Sequence, residues 1–456
     1  MDGGKLPKGW PLALVCLALA LALLLVGLPL GDPSTAIAAV GTPTTVYLPA
    51  IFRNFAPTTG AGDRFGIWLG APDRAAADLA HQAGASWTNV YLLWSQVETS
   101  PGVYNFSRYD GIMGNLASGG VRPFVEIRKS PSWVASTDCG PLDKTGGMDS
   151  FANFVRTMVQ RYSVAPYNVK HWEFYNEPDN TDVNLAQQIG MGCWGNYPSQ
   201  YAQLLSVANS AVKSVDPQAK VVFGGLAMEN MTSFNMNFLD QVLAAGGGPY
   251  FDVLNVHYFS NYASAWSAYG VDIGGKITRV RQIMSGRGVS KPVAVGETSY
   301  QDSPLDNFDA AAQARYVPKV LARALANDVY KVDWYQLRDY GDPARPYYYG
   351  LLDINGQPKP SYTTYSVAAS KVGRASYVSP LDAGSVGASG GIEGYKFRQD
   401  GREVWVLWAT PDGSAVDITL PGNAVNASDQ IGTVFWSSSG QSTGYRLGSN
   451  AIYIAF

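Results

Sequence analysis

Charge is scarce in this chain: only 15% of its 456 residues are Asp, Glu, Lys or Arg, against about 25% in an ordinary globular protein. The 33 basic and 36 acidic side chains leave a net charge of −3. No basic surplus exists to hold nucleic acid, and the low charge content excludes a coiled coil or a charge-laced solvent helix. Cysteine and histidine number three each, too few for a Cys-rich zinc module or a disulfide-dense small scaffold. What the chain has instead is 46% hydrophobic residues, including 12 Trp and 27 Tyr among the aromatics. That is enough to bury a large core and excludes a disordered chain. The length allows two to three domains, or one large barrel with a smaller module.

The first 38 residues read as an address. Lys5 and Lys8 precede an uncharged run from Trp10 to Leu30, and Ala36-Ile37-Ala38 follows as a small-residue cleavage site. This is the layout of a signal peptide. The apolar run is also long enough to span a bilayer, so residues 10–30 are read alternatively as a retained membrane tether. Both readings place residues 39–456 outside the cytoplasm, secreted or anchored. An oxidising compartment then makes a Cys139–Cys193 disulfide an expectation, with two buried thiols as the alternative. Residues 39–62, rich in Thr, Pro and Gly, read as a linker in which the apolar stretch Val46–Phe52 docks as a strand.

From residue 64 short β-rich runs alternate with helical patterns. The runs fall at 64–70, 86–94, 121–128, 169–176, 219–226, 251–259, 291–297 and 331–338. Phe151, Phe154, Val155, Met158, Val159 and Tyr162 recur at helical spacing behind Asp149 or Ser150 as a cap. Tyr201 to Val215 and Tyr316 to Leu325 repeat that pattern, and Pro217 stops the first of them. Eight such units predict an α/β fold, a (β/α)8 TIM barrel over 63–372. An open doubly wound sheet would want a Gly-rich phosphate turn after the first strand, and none stands there. Past residue 372 the pattern becomes alternating strands at 392–399, 403–410, 416–421, 431–437 and 443–456, with turns at Asp400-Gly401 and Asp412-Gly413. Residues 373–456 therefore read as a small C-terminal antiparallel β-sandwich.

Barrel chemistry sits at the C-terminal ends of the strands. Strand four ends Asn176-Glu177-Pro178 and strand seven ends Gly296-Glu297. Two carboxyls about 5–5.5 Å apart there form the retaining-glycosidase arrangement, one a protonated acid and the other an ionised nucleophile. These motifs resemble those of the clan A glycoside hydrolases, which carry acid/base and nucleophile on strands four and seven. Trp94-Ser95-Gln96-Val97-Glu98 with Gly102 to Phe106 and Asp110 agrees, as do Ser130-Pro131-Ser132-Trp133 and His257-Tyr258. Tyr349 to Asp353 with Pro358-Lys359-Pro360-Ser361-Tyr362 is similar to the segment leading into the clan's eighth helix. The nearest likeness is to the β-xylosidase and iduronidase-type family, with the cellulase-like family next.

The resemblance implies an exported retaining glycoside hydrolase acting on a β-linked oligo- or polysaccharide, with no metal and no cofactor. Glu177 becomes the acid/base and Glu297 the nucleophile. Asn176 resembles the clan's donor to the sugar 2-hydroxyl. His257 and Tyr258 are candidates to hold the nucleophile or a hydroxyl, Trp334 and Trp133 to stack on sugar, and Arg128 to pair a carboxylate or meet a sugar acid. The alternatives are packing roles for His257, Tyr258, Trp334 and Trp133 and a plain ion pair for Arg128. Glu173 and His171 lie deeper on strand four and read as satisfied core groups. The Arg that many clan members carry near the end of strand two is missing from Asn89-Val90-Tyr91-Leu92. A carbohydrate-binding pseudoenzyme and a transglycosylase are the competing functions, and the oligomeric state is open.

Overall fold

The computed structural model describes residues 63–70, 72–229, 232–302, 309–342 and 345–456. The address, the linker and its Val46–Phe52 strand lie outside these residues. Among the described residues no helix is long and apolar enough to cross a membrane.

Eight parallel strands close into a barrel: β1 (Phe65–Ile67), β2 (Trp87–Leu93), β3 (Arg122–Arg128), β4 (His171–Phe174), β5 (Lys220–Leu226), β6 (Val253–Phe259), β7 (Val293–Ser299) and β8 (Val332–Trp334). Each neighbours the next in sequence, and β1 closes the ring by pairing with both β2 and β8. Helices α1 (Arg74–Gln82), α2 (Ser107–Gly119), α3 (Gly147–Tyr162), α4 (Pro198–Val215), α5 (Phe238–Ala244), α6 (Ile273–Gly286), α7 (Ala310–Ala326) and α8 (Pro360–Val372) follow the strands in turn. Strands covered on both faces bury nearly every residue, which is why they read as continuous apolar runs. Helix α3 starts two residues ahead of the expected cap, at Gly147 behind Gly146 in the left-handed region, so Asp149 sits in the first turn. There its charge favours the N-terminal dipole.

The barrel interior is polar at its base. Lys331 and Asp333 form a fully buried ion pair, and Lys331 also donates to Asn89 Oδ1 at 2.8 Å. Glu173 Oε1 accepts from the Gly225 amide at 2.6 Å and from Asn255 Nδ2 at 2.8 Å, as expected of a satisfied core carboxylate. His171 bonds Tyr330 at 2.7 Å and stacks on Phe124, and burial pushes its pKa down to about 3. Close approach requires glycine at two positions. A Cβ on Gly225 would come within 2.2 Å of His257 Nε2, and one on Gly296 within 2.4 Å of Asn255 Nδ2. At the base, Asp63 accepts from Trp87 Nε1 at 2.9 Å, and the Arg64 amide bonds the Gly373 carbonyl at 3.2 Å.

Helix α8 ends at Val372, and antiparallel strands begin at Ser376. Strands β9 (Ser376–Pro380), β10 (Ile392–Gln399), β11 (Arg402–Ala409), β16 (Ile452–Ala455), β13 (Asn426–Ser428) and β14 (Val434–Ser437) form one sheet in that spatial order. Strands β12 (Val416–Leu420) and β15 (Thr443–Leu447) form a second sheet. Trp405, Leu407, Ile452 and Ile454 of the first pack with Ile418, Leu420 and Leu447 of the second. The stretch 443–456, expected as one run, breaks after Leu447 and enters both sheets. Trp408 is fully buried under α7, with Lys319 and Arg323 over its ring at 5.7 and 5.3 Å. Arg323 joins the domains: it binds both oxygens of Glu393 at 2.8 Å and reaches Asp272, ahead of α6, at 2.5 Å.

Candidate active site

The mouth of the barrel brings together residues from β2, β3, β6, β7 and the turn after β4. Glu177 lies three residues past β4, with Tyr175 and Glu177 itself both at positive φ. Its amide is held by the Gly225 carbonyl at 2.9 Å. The left-handed residues turn the chain sharply, so the Glu177 side chain comes back over the barrel axis. Glu297 points in from β7. The two carboxyls flank one imidazole nitrogen: His257 Nδ1 is 3.0 Å from Glu177 Oε1 and 3.7 Å from Glu297 Oε2. Their nearest oxygens are therefore separated by no more than the sum of those distances. That limit accommodates the roughly 5–5.5 Å of a retaining pair.

Both carboxyls are nearly sealed from solvent, at 6% and 7% exposure, and burial raises the pKa of each. Glu177 is pushed up to about 8, first by burial and then by Asp179, with Lys276 and Arg128 opposing. Glu297 is raised by burial and by Glu177, but His257 and a hydrogen bond from the Tyr91 hydroxyl at 2.7 Å favour its anion. Glu177 Oε1 shares a hydrogen bond with His257 Nδ1 at 3.0 Å, while its Oε2 is buried without a hydrogen-bond partner among the described residues. The Tyr91 hydroxyl on Glu297 and the Asp179 charge beside Glu177 thus favour the anion on Glu297 and the proton on Glu177. His257 is itself pushed down by burial, against the pull of Glu297 and Asp179.

Around this pair lie groups that sequence reasoning passed over. Tyr91, on the strand that lacks the clan's Arg, holds Glu297 directly. Tyr335, just past β8, is half-exposed and lies 5.0 Å from Trp68, ring centre to ring centre. The Glu297 charge acts on its hydroxyl. Lys276 of α6 is buried and donates to the carbonyls of Ala227 and His257, and burial lowers its pKa to about 8 against the pull of Glu229, Asp179 and Glu177. Strand parity was the available signal. Tyr91 shares a face with Asn89, and Tyr335 with Lys331 and Asp333.

Parity also corrects two expectations, those for Tyr258 and Trp334. Tyr258 alternates with inward His257, so it faces the helices. Its hydroxyl donates to Asp272, which Tyr316 and Arg323 also bind, and it meets neither nucleophile nor sugar. Trp334 alternates with inward Asp333. It is fully buried behind β8, with Nε1 donating to the Tyr349 carbonyl at 3.0 Å, so it offers no stacking floor. Arg128 is engaged by the protein: Nη1 donates to the Gly190 carbonyl at 2.8 Å, Nε lies 3.5 Å from Glu126, and the guanidinium lies over the Tyr91 ring at 3.6 Å. It thus pairs a carboxylate, as one reading of the sequence expects, and backs Tyr91. Asn176 stands beside Glu177 with its Oδ1 buried and unpartnered among the described residues. Trp133 is half-buried on the loop after β3, its Nε1 likewise without a partner.

The loops rimming the mouth are tied down. Cys139 and Cys193 form a disulfide between the loops after β3 and β4, and the Gly192 amide beside it bonds the Asn176 carbonyl. Glu98 accepts from Trp94 Nε1 and the Gly102 amide, an architectural role.

The family model for glycosyl hydrolases family 39 matches residues 93–382. Two curated relatives are β-xylosidases. The one from Caldicellulosiruptor saccharolyticus is 21% identical over 58% of this chain and 56% of its own length. The one from Geobacillus stearothermophilus is 29% identical over 27% of this chain and 25% of its own length. The chain thus spans at most about half the length of these relatives. A family 39 glycoside hydrolase from Bacteroides cellulosilyticus superimposes with a TM-score of 0.67 at 20% identity, covering 86% of this chain and 81% of that one. That likeness shows the fold.

Proposed function

The chain belongs to glycosyl hydrolases family 39, and we propose that it is an exported retaining hydrolase of β-glycosides, with β-xylosides as the substrate class its curated relatives suggest. The observation that carries this reading is the single imidazole nitrogen of His257 lying within 3.7 Å of both Glu177 and Glu297, on opposite sides of the barrel mouth. Glu177 holds the proton and gives it to the leaving oxygen, while the Glu297 anion attacks the anomeric carbon. Glu177, now ionised, takes a proton from water, and that water hydrolyses the glycosyl ester on Glu297. The unpartnered oxygens of Asn176 and Glu177 are where the sugar 2-hydroxyl and the glycosidic oxygen are received. Tyr335 and Trp68 form the aromatic wall beside the reacting sugar. Export accords with the address-like residues 1–38 and with the disulfide, which persists in oxidising compartments.

The test is mass spectrometry of the protein after incubation with a 2-deoxy-2-fluoro-β-xyloside carrying a good leaving group. The fluorine slows both steps and the leaving group spares the first, so a covalent adduct on Glu297 accumulates. An adduct on another residue, or hydrolysis with inverted product configuration, overturns the assignment.

A further inference from the structure

We propose that the hairpin after β8, strands Tyr340–Asp342 and Arg345–Tyr347, is a sugar-stacking site for the part of the substrate retained on the enzyme. The proposal rests on the hydrolase reading above.

The hairpin presents Tyr340 and Tyr347 as directly opposed cross-strand residues. Their rings stack with centres 4.6 Å apart and planes 9° apart, yet 43% and 37% of these residues are exposed. Cross-strand stacking contributes to a hairpin, but it does not require two phenol rings at the rim of a cleft. The base of the arm carrying them is anchored. Asp339, at its base, accepts from the Gly350 amide at 2.6 Å and from Lys359 Nζ at 3.0 Å, and Lys359 also pairs with Asp302 at 3.3 Å. A site on such a support orders a ligand at little conformational cost.

The pair is continuous with the candidate active site. The Tyr335 hydroxyl lies 3.4 Å from that of Tyr340 and feels the Glu297 charge, and the Tyr335 ring borders Trp68. An aromatic track therefore runs from the reacting centre outward along one side. That side decides which sugar it holds. Glu177 follows β4, diametrically across the eight-strand ring from β8, and the group it protonates leaves on its own side. What lies along the β8 arm is the non-reducing continuation of the chain. The C–H face of a pyranose covers an aromatic ring well, while its hydroxyls stay in water. A second sugar beyond the cleaved one would stack on the outer face of this pair.

The experiment compares 4-nitrophenyl β-xyloside with 4-nitrophenyl β-xylobioside on the full chain. The expected result is a higher kcat/KM for the disaccharide glycoside. Tyr347→Ala should lower the disaccharide-to-monosaccharide ratio about tenfold, equivalent to about 1.4 kcal/mol, and Tyr347→Phe should keep it. Tyr340→Ala should repeat the Tyr347→Ala result if the latter folds poorly. A wild-type ratio at or below unity, a ratio that both alanine variants leave unchanged, or an equal loss in Tyr347→Phe overturns the proposal. If the wild type cleaves neither glycoside, the hydrolase reading fails for xylosides and calorimetry with xylotriose decides the hairpin. Binding that weakens in Tyr347→Ala supports the site; no binding, or binding indifferent to Tyr347, removes it.

Discussion

Glu177 and Glu297 share a nitrogen, a burial depth and a negative neighbour in each other, yet their surroundings give them opposite tasks. The Glu177 pKa of about 8 predicts that kcat/KM falls as pH rises through that value. Glu177→Gln should remove that basic limb and slow poor leaving groups by about a hundredfold or more, while glycosides with activated leaving groups keep their first step. A pH–rate series on two leaving groups checks this. The same shift has a stability side. A carboxyl held protonated in the fold but ionising near 4.5 when unfolded binds more protons when folded. Its contribution is complete below about 4.5 and is lost as pH rises through about 8. Glu177→Gln should therefore raise the melting temperature at pH 8 by a few degrees and leave it little changed at pH 4.5, as scanning calorimetry at the two pH values would read. Tyr91→Phe is the complementary change. Losing the 2.7 Å hydrogen bond removes a stabiliser of the Glu297 anion, so kcat/KM should fall about tenfold. The acid limb of the pH profile should also move upward; a limb that stays in place would deny Tyr91 its role.

At the scale of elements, the site depends on loops after β3 and β4 being held against each other. The Cys139–Cys193 disulfide closes 54 residues of chain, for which loop-closure entropy allows about 4 kcal/mol of stabilisation. Cys139→Ser with Cys193→Ser should lower the melting temperature. It should also reduce kcat/KM, because Gly192 beside the bridge holds the Asn176 carbonyl. Differential scanning fluorimetry and steady-state rates on the same sample separate the two effects. Elements were also where the sequence could be read best. The eight barrel strands show as apolar runs because both their faces are buried, and the two carboxyls announce themselves by ending strands four and seven. Strands β9 and β13 escape, one bounded by Pro380 and the other only three residues long. The wall of the site escapes for another reason. Which of two adjacent residues faces inward depends on registers that shift within β6 and β8. Trp334 and Tyr335, or Tyr258 and His257, cannot be told apart by composition.

At the scale of the molecule, the β-sandwich acts as a brace. Trp408 lies under Lys319 and Arg323, and Arg323 ties Glu393 to Asp272, the residue that also anchors Tyr258 next to His257. Arg323→Met takes the cation from two partly buried carboxylates and should cost stability, read as a lower denaturant midpoint. Glu393→Gln, which keeps the arginine paired with Asp272, should cost less. Equal midpoints for both variants and wild type would show that the bridge does not hold the domains. The base of the barrel carries a different consequence. Asp63 and Arg64 enter there, clasped to Trp87 and Gly373, while the strands open toward the carboxyls at the other end. A chain cut back to begin at Asp63 would therefore bear its new amino terminus at the pole away from the chemistry, where a label cannot crowd the carboxyls.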